Sequence, residues 1–375
     1  MNHERITLAS QEFSLRHSWS AISKVASRLP SSLHLAVAPH STQTCFVANT
    51  FLGFFVCSNY YEHHPAVYIT TEKMQVTSID FCPAPRPDVV ISFNLGSVLL
   101  LNAVKRKTGR VLWLNSVQQH YSSRKPRVVR WVNDDEFAVV FDDATMWVFR
   151  KQFEAEDPAT IEHLKARLAD ISSKKFVCAS VLTDKNPIEA WRFALGKVTD
   201  MRFTQGPEQP LFLLTSAHGE LSIFDFHQKT HLVTFQSYFA GLRCLDVCEP
   251  YVAVGGEDDA VSVWNLRSRR LVVRCEGHSS WVTGVQFTSQ TGLGLASVGL
   301  DGKLLEWDLT GISPDVEVPA RDAIVAYPPK NSTFVIEPAA VAHASRHPLS
   351  AFVLKANSLF LLDESGKVSL WQTQL

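Results

Sequence analysis

The chain has 375 residues, of which 46% are hydrophobic and 19% charged, and its formal net charge is -1. This much apolar material predicts a large folded core and argues against global disorder. The nearly balanced charge lacks the basic excess that nucleic-acid binding requires. The sequence contains no run of 18 uncharged apolar residues, so we expect no membrane span.

The N-terminal stretch 1-30 mixes Arg, Lys and Ser with two glutamates, and we interpret it as a flexible lead-in or a peripheral strand. Residues 31-375 then form the folded body. Seven cysteines, an odd number with no secretory leader before them, predict reduced thiols in an intracellular compartment. We therefore expect a cytoplasmic or nuclear protein, or one that occupies both compartments.

Short alternating apolar runs, joined by turns, follow one another along the body. Each group has an apolar run, a tight turn and a second run, which is typical of β-hairpins within a unit of four strands. The groups cover 32-71, where the pattern is less regular, and then 76-104, 127-150, 198-226, 241-275, 281-309 and 349-373.

Two segments interrupt this strand pattern. In 151-186, Ile161, Leu164, Leu168 and Ile171 have helical spacing after Pro158, so "PATIEHLKARLADIS" predicts one amphipathic helix inserted between strand groups. Its apolar stripe would pack on the flank of the body or engage a partner. The second segment, 311-347, is rich in proline and is expected to be mostly loop.

Two of the groups align closely enough to define a repeat. "VAVGGEDDAVSVWNL" (252-266) and "LASVGLDGKLLEWDL" (295-309) match with an offset of 43 residues. A four-stranded unit of this kind leaves both sheet faces apolar, so it needs neighbours on each side, and a closed ring supplies them. The sequence therefore predicts an all-β fold, a seven-bladed β-propeller with one short helical insertion.

The best repeat carries the four side chains of the hydrogen-bonded tetrad that WD repeats share. His278, Ser297, Asp301 and Trp307 occur in the order and context of that tetrad, which makes the predicted fold a WD40 propeller. The alternative is a catalytic His-Asp pair, but it needs a nucleophile, and the tetrad already uses Ser297. We therefore interpret the four as structural.

Other polar clusters do not match a catalytic or metal site. The carboxylates of Glu257, Asp258 and Asp259 share one turn without further ligands, and Cys244 and Cys248 have no second Cys or His pair. No phosphate loop, nucleophile elbow or zinc-protease motif occurs. We expect no catalytic residue, no metal and no cofactor.

Residues 237-307 resemble one particular group of WD-repeat proteins. "SYFAG", "GGEDD" and "GHSSWV" are similar to motifs of the family that contains fungal CreC and animal WD-repeat protein 20, and "DKNPIEAWRF" upstream fits its layout. Ala240 departs from a glycine of that pattern. The resemblance implies a non-enzymatic scaffold that binds and activates a ubiquitin-specific protease of the group numbered 12 and 46, with a second WD-repeat protein as a further possible partner.

Three aromatic residues lie where one strand group connects to the next. Tyr238, Phe239 and Trp281 precede the first strands of two successive groups, so in a WD propeller they would lie on the same face. Exposed aromatics in a polar rim are the expected anchors of a protein interface. The alternative is that Trp281 covers the top of its blade and Phe239 packs beneath it.

A second function hypothesis starts from "WNLR" (264-267). This resembles the W-D-x-R element of substrate receptors for cullin-type ubiquitin ligases, with Asn265 in place of Asp. A generic WD40 scaffold is the third possibility.

Overall fold

The computed structural model describes most of the predicted strand groups. The described residues are 5-8, 11-20, 33-37, 43-48, 51-56, 67-70, 76-86, 88-94, 96, 98-102, 125-151, 166, 178-182, 186-204, 210-237, 241-312, 325-326, 334-355 and 358-373.

The strands pair into seven sheets, and hydrogen bonds join the strands of each sheet in the order named. The first contains β3 (Leu33–Val37), β4 (Gln43–Ala48), β5 (Phe51–Val56) and β6 (Val67–Thr70). The second contains β7 (Val76–Phe81), β8 (Asp88–Phe93) and β9 (Val98–Asn102). The third contains β10 (Pro126–Trp131), β11 (Glu136–Phe141), β12 (Thr145–Arg150), β14 (Glu189–Phe193) and β13 (Cys178–Leu182).

The fourth sheet contains β15 (Val198–Phe203), β16 (Leu211–Ser216), β17 (Glu220–Asp225), β18 (Thr230–Gln236) and β26 (Val325–Ala326). The fifth contains β19 (Leu242–Cys248), β20 (Tyr251–Gly256), β21 (Ala260–Asn265), β22 (Arg270–Glu276) and β27 (Val335–Ile336). The sixth contains β23 (Val282–Phe287), β24 (Gly294–Gly299), β25 (Lys303–Asp308) and β28 (Ala340–His343). The last contains β29 (Leu349–Lys355), β30 (Ser358–Asp363), β31 (Lys367–Thr373), β2 (Gln11–Ser20) and β1 (Arg5–Leu8).

The first-named strand of each sheet is the innermost one. These strands contact one another in the order β3, β7, β10, β15, β19, β23 and β29, and β29 contacts β3 again. Residues from all seven line one central channel. The predicted all-β WD-type propeller is confirmed. We call the end of the ring at which the innermost strands begin the upper face.

The number of complete blades differs from the prediction of seven four-stranded units. Six sheets have four or five strands, whereas the sheet of β7, β8 and β9 has three. The residues that follow β9, 103-124, lie outside the described part of the chain. The structure therefore supports six complete blades and one shorter sheet.

The predicted helical insertion is not borne out as a described element. Every helix or strand element of the described residues is a strand. Of "PATIEHLKARLADIS" only Ala166 is described, with helical backbone, and the rest lies outside the described residues. The 151-186 segment also contains β13, which pairs with β14 at the outer edge of its sheet. Its partner is the next strand along the chain, with Leu182 opposite Glu189, but the sequence pattern assigned neither strand to a group.

The 311-347 segment contributes three short strands to three different sheets. β26 pairs in parallel with β18, and β27 pairs in parallel with β22. β28 then returns to its own sheet and pairs with β25. The segment therefore crosses the outer edges of two preceding sheets, where the sequence had predicted mostly loop.

The two ends of the described chain meet in the last sheet. β2 pairs with β31 in an antiparallel ladder from Phe13 opposite Thr373 to Ser20 opposite Lys367. Residues 5-8 and 11-20 thus form two peripheral strands, and a peripheral strand was one of the two alternatives for residues 1-30.

The core lies between neighbouring sheets, because both faces of each sheet are covered. In β11 the five residues after Glu136 are all buried, so this strand has no solvent face. Aromatic rings fill the space between the third and fourth sheets, where Phe212 stacks on Phe224 with centroids 4.8 Å apart. Trp191 meets Phe212 edge to face at 5.0 Å. Such burial on both faces holds each blade between its neighbours.

Candidate functional site

The predicted tetrad residues come together in the sixth sheet. The Trp307 indole N–H donates to Ser297 Oγ at 2.9 Å, and Ser297 Oγ lies 2.8 Å from His278 Nε2. His278 Nδ1 lies 3.1 Å from both carboxylate oxygens of Asp301. The chain of hydrogen bonds ties the connection before β23 to the turn between β24 and β25. It therefore anchors the upper end of the blade.

The electrostatics of Asp301 agree with a carboxylate that holds this structure together. Burial by itself would raise the pKa of Asp301, but hydrogen bonds from His278 and from the backbone N–H groups of Ser279 and Lys303 lower it to about 2. The N–H of Ser279 donates to Oδ2 at 2.9 Å. The carboxylate is thus ionised at neutral pH.

Ser297, His278 and Asp301 have the order of a catalytic triad, but their surroundings do not suit catalysis. Ser297 is 0% exposed, so its Oγ offers no approach for a substrate carbonyl. The same Oγ already accepts the indole hydrogen bond from Trp307. A nucleophile must be reachable and must pass its proton to the base. The arrangement acts as a structural tie.

Trp281 occupies the upper face directly before β23. It is 41% exposed, which makes it one of five exposed large apolar residues in the described chain. The guanidinium carbon of Arg243, from β19 in the neighbouring sheet, lies 4.9 Å from the centre of the indole ring. Arg243 Nη1 also donates to Glu257 Oε1 at 3.0 Å. The ring is therefore exposed on one side and supported by a cation on the other.

Tyr238 and Phe239 lie outside the described residues, but the ends of their connection are described. The Ser237 N–H donates to Gly219 O at 2.8 Å, and Gly241 O accepts the Glu257 N–H at 2.9 Å. A Cβ at Gly241 would lie 2.9 Å from Ala217 O, so this end must pass close to neighbouring backbone. Residues 238-240 therefore join two anchored points beside the strand that carries Arg243.

Two carboxylates of the acidic turn 257-259, which raised the question of a metal site, form ion pairs with different arginines. Asp258 Oδ2 lies 2.9 Å from Arg274 Nη1, and Glu257 pairs with Arg243. Asp259 has a left-handed backbone with φ of 62°. Among the described residues, no group of three or more His, Cys, Asp or Glu side chains is placed to hold a metal ion.

The two cysteines of β19 are free thiols that differ in exposure. Cys244 is buried, and burial raises the pKa of its thiol to about 12. Cys248 is partly exposed, and its Sγ lies 3.3 Å from Gln290 O. A thiol with a pKa as high as that of Cys244 is a poor nucleophile and a poor metal ligand.

Sequence reasoning missed Arg243 as a member of the exposed surface. It is the second residue of β19, and the alternation of "GLRCLDV" placed it on the face away from the sheet core. That signal located a polar position but did not identify its partner, because Trp281 follows 38 residues later in another sheet.

The fold and the tetrad are those of a WD-type β-propeller. In agreement, the family described as WD domain, G-beta repeat matches residues 269–308. Within the described part of the chain, no helix combines the length and apolar character needed to cross a membrane.

A curated relative supports the more specific resemblance. The chain is 33% identical over 239 residues to the UBP9-binding protein bun62 of Schizosaccharomyces pombe (strain 972 / ATCC 24843). The match covers 60% of this chain and 43% of the relative, so the chain spans less than half of that protein's length. The predicted resemblance to WD-repeat proteins that bind a ubiquitin-specific protease is confirmed by this relative.

Proposed function

We propose that this chain is a non-enzymatic scaffold that binds a ubiquitin-specific protease and raises its activity. The relative named for binding UBP9 supports a protease as partner. The single structural observation that carries the proposal is the exposed Trp281 ring, which Arg243 holds from the adjacent sheet. An aromatic ring supported in this way loses little conformational freedom on binding, as an interface anchor requires.

The docking surface of this proposal is the upper face around Tyr238, Phe239 and Trp281. We assign the partner to the protease group numbered 12 and 46 and place the complex in the cytoplasm or nucleus. A second WD-repeat protein belongs to the same proposal. In the proposed architecture, the sheet of β7, β8 and β9 is the seventh blade. The 151-186 segment is a helical insertion between blades.

The chemistry of the most triad-like group supports a non-enzymatic role. Ser297 is buried and hydrogen-bonded to both Trp307 and His278, so it is not available to a substrate. The scaffold would act by binding the active arrangement of the protease more tightly than the inactive one. Typical coupling of this kind amounts to about 1–3 kcal/mol.

The decisive experiment combines a binding assay with a protease assay. We expect Trp281→Ala, and separately Phe239→Ala, to weaken protease binding by about 2 kcal/mol, which is roughly 30-fold. Hydrolysis of a fluorogenic ubiquitin substrate should lose its stimulation in parallel. The control is Leu182→Ala, because Leu182 is 67% exposed on the outer strand β13.

Unchanged affinity in both aromatic variants, with thermal melting equal to the parent chain, would exclude this docking surface.

The cullin-ligase alternative predicts a different result. If it holds, purification of the tagged chain from cells recovers the ligase adaptor without a ubiquitin-specific protease. In the structure Asn265 Oδ1 accepts the N–H groups of Arg267 and Ser268 at 2.9 and 3.0 Å, which accounts for this residue as a turn cap.

A further inference from the structure

Six of the seven innermost strands have the same irregularity near the upper face. The pairing with the second strand shifts by one residue just after each of these strands begins, in β7, β10, β15, β19, β23 and β29. The bypassed residue is the second one of each strand. A bulge of this kind leaves one residue outside the ladder and redirects its side chain.

The bypassed residues form a ring at the channel mouth. They are Thr77, Arg127, Thr199, Arg243, Thr283 and Ser350, and all six line the central cavity. His34, the second residue of β3, lines it as well. Burial and the charge of Arg130 lower the pKa of His34 to about 4, so its ring is neutral at pH 7. The ring of bypassed residues therefore contains two cations and no carboxylate.

The layer below this ring compensates its own charge. Asp200 Oδ1 accepts hydrogen bonds from Arg130 Nη2 at 2.6 Å and from Arg202 Nη1 at 3.3 Å. Arg130 Nη1 also donates to Val129 O at 2.8 Å. Asp80 lies in the field of the same two guanidiniums. Neither arginine of this layer needs an added anion.

Arg127 differs from these two residues because its charge is not matched. Its Nε is buried and has no hydrogen-bond acceptor among the described residues. No described carboxylate lies within ion-pair distance of it, whereas Arg243 is paired with Glu257. Because this Nε is closed to solvent, an anion in the cavity would contact the terminal guanidinium nitrogens of Arg127 instead.

The cavity around Arg127 has a size suited to a small ligand. Its volume is about 440 Å³, within the range of about 300–1,000 Å³ of small-molecule sites. The hydrogens of Thr199 and Thr283 are already donated, to Thr215 Oγ1 and Leu349 O. The guanidinium N–H groups of Arg127 and Arg243 are the charged donors of the ring, and such groups match phosphate and carboxylate oxygens in pairs.

We propose that the upper mouth of the channel is an anion-binding site, built around Arg127, that takes a phosphate or carboxylate group of a small ligand. Arg243 is the second cation of the site and joins it to the surface that carries Trp281. The exposed carboxylate of Glu364 lies at the rim and limits the charge that can enter. The site does not depend on the protease, because every donor belongs to this chain.

The test uses the whole chain without a partner and inorganic pyrophosphate as the probe. Isothermal titration at constant ionic strength should detect binding to the parent chain. Arg127→Gln should weaken it at least tenfold. The matched control is Arg86→Gln, which removes the same charge at a side chain that is 56% exposed and does not line the cavity. Its affinity should stay within twofold of the parent.

Two further measurements keep the test decisive. Arg243→Gln should also weaken binding, so the proposal can be judged even where Arg127→Gln fails to fold, as checked by thermal melting. Displacement of pyrophosphate by citrate supports a site that accepts either group, and its failure to displace supports phosphate alone. No binding of pyrophosphate or citrate to the parent chain overturns the proposal, as does equal weakening by Arg86→Gln and Arg127→Gln. Because no protease is present, these results are independent of the docking proposal.

Discussion

The Arg243 guanidinium carbon lies 4.9 Å from the centre of the Trp281 ring, although the two residues belong to neighbouring sheets. Arg243 lies at the bulge in β19, and Trp281 precedes β23. The contact therefore joins two blades at the upper face. It also holds the most prominent candidate anchor in a fixed position, which has consequences for binding.

Replacing Arg243 should weaken protease binding although the aromatic anchor is intact. Arg243→Ala removes the cation beneath the indole ring, and an exposed cation–π contact contributes about 0.5–1 kcal/mol. We expect a two- to fivefold loss of affinity, measured by biolayer interferometry with immobilised protease. Arg243→Lys, which keeps the positive charge, should retain more affinity than Arg243→Ala. Equal losses in both variants would contradict a role for the cation.

Removing the Ser297 hydroxyl should destabilise the propeller. Ser297→Ala leaves the Trp307 indole N–H and the His278 Nε2 without their shared partner in a buried site. Each unsatisfied buried group costs about 1–3 kcal/mol. We expect a lower urea midpoint and a lower melting temperature. Ser279→Ala, two residues before Trp281 at an exposed position, is the control and should change neither. A Ser297→Ala chain as stable as the parent would show that the tetrad is dispensable.

The contribution of the tetrad to the free energy of unfolding should depend on pH, because it requires the ionised carboxylate of Asp301. The pKa of Asp301 is lowered from its ordinary value of 3.8 to about 2 in the folded chain. Its ionised form therefore stabilises the folded state fully above pH 3.8, and this contribution disappears as the pH falls through 2. The advantage of the parent chain over Asp301→Asn should shrink between about pH 4 and about pH 2. Urea unfolding at several pH values measures it, and a constant difference would contradict the assignment.

Local sequence pattern predicted the hairpins and the tetrad because both depend on neighbouring residues. The turn between β24 and β25 places Asp301 and Trp307 six residues apart on consecutive elements, as the repeat predicted. The paired strands of 252-266 likewise follow from alternation and the acidic turn between them. In these cases the sequence separation is short, so periodicity specifies the register.

Outer strands were harder to predict, either because their partners are distant in the chain or because the order of strands in the sheet departs from their order in the chain. β26 and β27 have two residues each, too few for any alternation, and they pair with β18 and β22. β13 precedes β14 in the chain but lies outside it in the sheet. Neither strand length nor the order of elements in the chain provides a local signal for such pairings. The sequence pattern therefore predicted mostly loop for 311-347 and no strand at β13.

The amino-acid sequence by itself determined that this is a WD-type repeat protein with structural His278, Ser297, Asp301 and Trp307, because periodic strands and a spaced polar tetrad are local properties. Only the tertiary structure decided which side chains meet across blades. The contact of Arg243 with Trp281 and the ring around Arg127 arise from closure of the sheets and from bulges that turn single residues into the channel. Closure brings together positions that are remote along the chain, so no local pattern encodes them.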